Sequence, residues 1–313
     1  MLLFIFMLLV APARAQTADA ANALRELIRG TPALPLEQVP LSDKLSNSVS
    51  LGTVSSVAAD RAGLIYVLQR GDKADPVIVV DKQGRIVRSW GKGMFTVPHS
   101  IRIDADGNIW TVDAGSSVIL KFSPEGKKLQ EIDVGEVATG NGCAFPTLCG
   151  TTDIAFAPGG RLYVSDGYGN ARVLEYSSAG KRVRQWGSSG NGPGQFQIPH
   201  GVAVGGDVVY VADRTNARVQ RFTLDGAYLG EWTHLGRPFA LKMMNGSLWV
   251  SITTLEQRPS PWLLKVDPAM GKVLGQAEFP GPHSIDISES EEAFGNGCCG
   301  GINPNGFFWL RKR

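Results

Sequence analysis

The sequence predicts an all-β fold, a six-bladed β-propeller, on three observations. Five segments repeat one pattern, 38 glycines and 18 prolines punctuate the 313 residues, and only one stretch has helical character. The repeat is a short strand ending in an aromatic and a small apolar residue, then a loop, a second strand and a turn. Its copies read LIYVLQRGDKADPVIVVDKQG, NIWTVDAGSSVILKFSPEG, RLYVSDGYGNARVLEYSSAG, DVVYVADRTNARVQRFTLDG and SLWVSITTLEQRPSPWLLKVDPAMG. The aromatic positions Tyr66, Trp110, Tyr163, Tyr210 and Trp249 are 44, 53, 47 and 39 residues apart. That is the length of a four-stranded propeller blade.

Taken from the start of the chain, residues 1–15 (MLLFIFMLLVAPARA) predict a signal peptide. Leu2 to Val10 form the apolar run, and Ala13-Arg14-Ala15 has the small-x-small form of a cleavage site, leaving Gln16 as the mature start. The run is too short to span a bilayer comfortably. An exported protein is therefore expected, periplasmic or secreted, with no membrane span once the signal is removed. Residues 16–50 form an N-terminal segment: 17–29 are helix-like and are expected to pack outside the repeats or to serve as a spacer, and 36–50 are placed to add an outer strand to the last blade. Residues 51–313 are expected to be the propeller.

Within each blade, turns such as Pro124-Glu125-Gly126 and Leu224-Asp225-Gly226 close the second hairpin, glycine supplying the positive φ. Outer strands then carry Trp90, Trp186 and Trp232. A sixth blade opens at Pro282. Its continuation, SESEEAFGNGCCGGINPNGFFWLRKR, does not resemble a blade, so the last blade is expected to be irregular or incomplete. A propeller must still close its ring or leave a sheet edge exposed.

Lys plus Arg (31) nearly balances Asp plus Glu (29), with no basic stripe, which argues against nucleic acid as a partner. A small-molecule or peptide substrate and a monomer are expected. Of the four cysteines, Cys143 and Cys149 share one loop, CAFPTLC, and would pair in an oxidising compartment. Cys298 and Cys299 are adjacent and poorly placed to pair with each other. Neither pair has zinc-finger spacing.

Three of the four histidines follow proline: Pro98-His99, Pro199-His200 and Pro282-His283. Each opens the innermost strand of a blade, and they fall on blades 2, 4 and 6. Alternate blades of a six-fold ring lie about 120° apart, so three imidazoles would converge on the axis and leave a fourth position open, as a catalytic zinc requires. The motif does not follow from the repeat itself, because blade 5 opens with Pro238-Phe239 and blade 3 with Thr152-Asp153. The loops on the same rim offer Arg70, Tyr168 and Arg214. Asp113, Asp166 and Asp213 end successive second strands and read as acceptors for turn amides. Arg172 and Arg218, each in an NARV segment, read as inter-blade packing residues, and His234 as a surface residue.

The stretch VSDGYGNARVLEYSSAGK…RQWGSSGNGPGQFQIPHGVAV…VYVADRTNARVQRF resembles the lyase domain of peptidylglycine amidation, peptidyl-α-hydroxyglycine α-amidating lyase, an NHL-repeat propeller. The resemblance runs from about Val54 to Ile285. It implies cleavage of a peptidyl-α-hydroxyglycine to a peptide amide and glyoxylate. It implies zinc on His99, His200 and His283, Tyr168 and Arg70 as catalytic residues, and Arg70 and Arg214 as substrate-binding arginines. It also implies a structural calcium held by backbone carbonyls near Val57 and Ile101 and by an Asp directly after the third histidine. Here that residue is Ser284, which removes the anionic oxygen a hard cation prefers. Asp286 lies on the same strand face, two residues on.

The chemistry is consistent with those roles. Breaking the C–N bond of a carbinolamide requires the hydroxyl proton to leave and the amide nitrogen to gain one. Zinc acidifies a bound hydroxyl. A phenol, with a reference pKa near 10, serves as base only beside a cation such as Zn²⁺ or Arg70, and Arg70 and Arg214 are suited to clamp a carboxylate. Three other readings compete: a non-enzymatic NHL propeller binding a protein or glycan in the cell envelope, a gluconolactonase-like metal hydrolase, and a lyase fold made inactive by a decayed last blade. The imidazole-rich set argues against the second, whose sites lean on carboxylates and calcium.

Overall fold

A computed structural model describes residues 13–39, 41–45, 49–135, 149–297 and 306–313. Six four-stranded antiparallel sheets form the blades of a β-propeller. Their innermost strands are Val54–Ala59, Pro98–Ile103, Asp153–Phe156, Pro199–Gly205, Arg237–Met244 and Ile285–Ile287. The second strands, such as Ile65–Gln69 and Leu162–Asp166, are buried along their whole length. Fourth strands such as Ile86–Trp90 and Arg182–Trp186 alternate between exposed and partly covered residues. This gradient follows from the ring: inner strands have neighbours on both faces, outer strands only part of one.

The core is not one mass but six apolar seams, one between each pair of adjacent blades. Between blades 1 and 2, for example, Tyr66, Leu68 and Val79 meet Ile101, Ile109 and Phe122. The repeated tryptophans and turn glycines are two halves of one contact. Gly126, at φ +90°, places its α-carbon against the Trp90 ring of the preceding blade, where a Cβ would come within 2.7 Å of Trp90 Cδ2. Gly226, at φ +84°, does the same against Trp186 at 2.8 Å. Glycine is required there twice over, for its dihedral and for its lack of a side chain.

Ring closure corrects the sequence reading of the last blade. Blade 6 is irregular, its inner strand being only three residues, but it has four strands. The segment that did not resemble a blade supplies two of them, Ala293–Asn296 and Phe307–Lys312. The fourth is Leu36–Val39, which pairs antiparallel with the last strand, Leu36 opposite Lys312 and Val39 opposite Trp309. Arg311 also pairs with Glu37 across this seam. The FFWL run obeys the strand period when paired: Phe308 and Leu310 pack between blades 5 and 6, and Phe307 between blades 6 and 1.

The helical stretch is Ala13–Gly30, longer than expected by a turn at its start. It lies outside the ring, with Leu24 and Ile28 buried against the seam of blades 4 and 5. No helix among the described residues is long and apolar enough to cross a membrane. The apolar run of the expected signal peptide and Cys143, Cys298 and Cys299 lie outside the described residues. Cys149 is described and is not a free thiol.

If Leu36 closes the ring through its buried side chain, Leu36→Ala should lower the unfolding free energy by about 2 kcal/mol or more. Leu274→Ala, at an outer-strand residue 43% exposed, should change it by less than about 0.5 kcal/mol. Urea unfolding of both variants checks this, and equal effects would deny the closing strand its role.

Candidate metal centre and active site

The three Pro-His pairs meet at one end of the central axis. The rings of His99, His200 and His283 lie 4.8–5.0 Å apart by centroid. One ring nitrogen of each falls within 4.8 Å of the other two, and all three side chains are buried. A backbone feature aims two of them. The ladder between first and second strands slips at Pro98/Ser100 and at Pro199/Gly201, so His99 and His200 are each the unpaired residue of a bulge. A bulge re-aims one side chain without breaking the sheet, and here it turns imidazole toward the axis. Proline suits the preceding position, the first of each strand, where a missing N–H is tolerated.

Each imidazole is oriented by the neighbouring blade. His99 Nδ1 meets the Thr152 carbonyl at 2.7 Å, His200 Nδ1 the Phe239 carbonyl at 2.9 Å, and His283 Nδ1 the Ser55 carbonyl at 2.8 Å. A carbonyl only accepts, so each Nδ1 carries the proton and each Nε2 has a free lone pair. Ser55 and Phe239 are themselves the bulged residues of blades 1 and 5. The carbonyls of the three prolines are also held: Pro98 by Arg70 Nε at 3.0 Å, Pro199 by Thr152 Oγ1 at 2.8 Å, and Pro282 by Ser251 Oγ at 2.6 Å.

The rim residues close over this centre. Tyr168 Oη lies 2.9 Å from His99 Nε2 and 3.3 Å from His200 Nε2. With both Nε2 unprotonated, the phenol is the donor. The Arg214 guanidinium stands over the Tyr168 ring at 5.7 Å and the Phe239 ring at 5.3 Å. Arg70 is close enough that Tyr168 raises the affinity of its guanidinium for its proton, though burial acts more strongly and lowers it. Arg70 Nη2 and His283 Nε2 are buried with no partner among the described residues. Buried polar atoms are nearly always satisfied, so both are open to a ligand.

The three imidazoles fit a metal ion: three converging neutral nitrogens, each with an outer hydrogen bond fixing its tautomer, are the donor set that zinc and related ions take. The calcium position does not fit. Ser284 Oγ lies 2.9 Å from Ser56 Oγ and accepts from Val57 N at 3.1 Å. Asp286 does not stand in, because Lys242 pairs with one oxygen at 2.7 Å and Ala59 N donates to the other at 2.8 Å.

The remaining sequence expectations fall into place as structure rather than site. Asp113 accepts from the amides of Thr96, Val97, Gly115 and Ser116, and Asp213 from that of Gln197. Asp166 accepts from the Asn170 side chain and from Arg172; Arg172 thus pairs within its own blade, which corrects its reading as an inter-blade residue. Arg218 pairs with Asp213 and also holds the carbonyls of Asn191, Gly192 and Gln195, where the chain crosses from blade 3 to blade 4. His234 is exposed and bonds the Gly271 carbonyl. Sequence reasoning gave no role to Thr152, Phe239, Ser55 or Ser251, since nothing in a residue's identity says that its carbonyl or hydroxyl faces the axis. A cavity of about 640 Å³ opens at the opposite face and is lined by none of the three histidines, Tyr168, Arg70 or Arg214.

Residues 196–222 match the NHL repeat. The chain is 34% identical over 285 residues to the peptidylglycine alpha-amidating monooxygenase of Rattus norvegicus, covering 76% of this chain and 28% of that protein. It is 28% identical over 302 residues to peptidyl-alpha-hydroxyglycine alpha-amidating lyase 2 of Drosophila melanogaster, covering 83% of this chain and 73% of that one. The chain thus spans little more than a quarter of the rat relative. Among solved structures it is similar to a streptogramin B lyase, with a TM-score of 0.60 over 89% of this chain and 98% of that one, at 13% identity. That likeness speaks to the fold alone.

Burial keeps the three imidazoles neutral. It is the first cause of each lowering, with positive neighbours adding to it: His283 and Arg70 at His99, Arg214 at His200, and Arg70 at His283. His283 is pushed down to about 3, and the other two well below the ordinary value. Between about pH 6.5 and those values, the unfolded chain binds protons that the folded chain refuses. Their stability contribution is therefore full above about 6.5 and lost as pH falls. The metal-free protein should show a melting temperature that falls from neutral pH toward about pH 5, more steeply than that of the triple variant His99→Gln/His200→Gln/His283→Gln. Parallel slopes would show that the histidines are not the groups responsible.

Proposed function

Because the chain belongs to the peptidyl-α-hydroxyglycine α-amidating lyase-like family of NHL-repeat propellers, we propose that it is a zinc-dependent carbon–nitrogen lyase. Its substrate is a peptidyl- or N-acyl-α-hydroxyglycine-like carbinolamide, and its products are the amide and glyoxylate. One observation carries the reading: Tyr168 Oη stands within hydrogen-bonding distance of two of three converging, buried imidazoles. His99, His200 and His283 would hold the metal, which acidifies the substrate hydroxyl when bound.

The chain's own residues do the rest. Arg70 and Arg214, both partly buried at the rim, bind the substrate carboxylate and fix which face of the carbinol carbon meets Tyr168. Tyr168 takes the hydroxyl proton. The C–O bond becomes C=O, the C–N bond breaks with its electron pair on nitrogen, and a proton delivered to that nitrogen completes the amide. The phenol, now carrying the proton, is the nearest donor for it.

We further place the protein outside the cytoplasm. The apolar run Leu2 to Val10 and a Cys149 that is not a free thiol support export. Non-reducing peptide mapping of exported protein should recover a Cys143–Cys149 disulfide. Alkylatable thiols at both positions would refute it.

The activity test is an N-acyl-α-hydroxyglycine with glyoxylate as readout. Wild type should hold about one zinc, and His200→Ala should lose it. Tyr168→Phe should lower kcat by roughly 10²–10⁴ with zinc content unchanged, and Arg70→Ala should raise KM. Full activity in Tyr168→Phe removes the phenol from the reaction. A folded, zinc-loaded wild type without turnover favours instead a propeller that binds a protein or glycan.

A further inference from the structure

Below the histidines, the axis is crossed by a buried ion pair. Arg102 lies on the same inner strand as His99, and its guanidinium grips Asp153 of blade 3 with two bonds, Nε to Oδ1 at 2.9 Å and Nη2 to Oδ2 at 2.6 Å. The side chains are 6% and 4% exposed. The same guanidinium reaches across the channel to the Ile285 carbonyl of blade 6 at 2.5 Å and the Leu241 carbonyl of blade 5 at 3.5 Å. Asp153 is saturated in turn, by Ser100 Oγ at 2.6 Å and by Val202 N of blade 4 at 3.3 Å.

Two features stand out. The guanidinium is surrounded by two carboxylate oxygens and two carbonyl oxygens from three blades, a set of hard donors of the kind a divalent cation such as calcium takes. The pair also ties together all three histidine strands. Arg102 is three residues after His99, Val202 two after His200 and Ile285 two after His283, while Thr152, whose carbonyl orients His99, adjoins Asp153. We propose that Arg102 is the built-in cation of the propeller axis, taking the place of a bound divalent ion, and that with Asp153 it is a positioning pair that sets the spacing of the three histidine strands. The second half rests on the metal-centre reading above. The first half does not.

The test is chemical replacement of the side chain's charge. Wild-type melting temperature should not respond to millimolar CaCl₂. Arg102→Met strands the Asp153 carboxylate among open carbonyls, so it should melt well below wild type, and CaCl₂ should recover part of that loss saturably where NaCl of equal ionic strength does not. Adding Asp153→Asn should abolish the calcium response. A wild type that calcium stabilises, or an Arg102→Met protein that calcium leaves unchanged, overturns the built-in cation. Should Arg102→Met not fold, Arg102→Lys keeps the charge but loses the two-bond grip. Zinc affinity by chelator competition should then fall roughly 10–100-fold, and unchanged affinity overturns the positioning role. If wild type binds no zinc, the metal-centre reading fails while the calcium response still decides the first half.

Discussion

Everything at the axis depends on the antiparallel pairing of Leu36–Val39 with Phe307–Lys312. Each blade is a wedge whose apolar faces are useful only against two neighbours, and the six seams have no dominant centre. An unclosed ring would expose two of those faces and let blades 6 and 1 separate. That is the junction at which His283 meets the Ser55 carbonyl and Asn296 bonds the Val54 carbonyl. Three imidazoles at 4.8–5.0 Å therefore require the first and last described strands to have found each other.

Much of this was legible in the sequence, because repeats declare themselves. The aromatic positions at blade spacing, the tryptophans of the outer strands and the turn glycines all report one contact seen from either side. The Asp…NAR pattern likewise reports one local network, in which Ala171 and Ala217 at positive φ let Asn and Arg turn back on the strand-ending Asp. The histidines were legible because they broke the repeat on alternate blades. The fourth strand of blade 6 was legible only as a place in the ring that something had to fill.

What was not legible depends on backbone rather than identity. The inner-strand bulges that turn His99 and His200 inward leave no mark beyond a proline, and the carbonyls that orient the imidazoles leave none. The last blade misled because GNGCCGG interrupts the pattern just before FFWL resumes it. Arg102 looked like one more strand residue. Only in three dimensions is it opposed by Asp153, with Lys242 and Asp286 paired beyond it, so that the channel below the histidines carries two positive and two negative charges. The net positive charge at the axis lies at the rim, with Arg70 and Arg214.

The orienting bonds also have a symmetry of their own. Blades 2, 4 and 6 give imidazoles, and blades 3, 5 and 1 give the carbonyls that receive them. The architecture is six-fold, but the centre is three-fold, and its asymmetric unit is a pair of blades. Giver and receiver alternate around a closed circuit only if the number of blades is even, and three ligands at equal angles then require six. A five-bladed ring with three such imidazoles would bring two giving blades together and leave one imidazole facing the wrong partner, and a seven-bladed ring would space the three unequally. Blade number in this protein is thus a matter of parity as much as of packing.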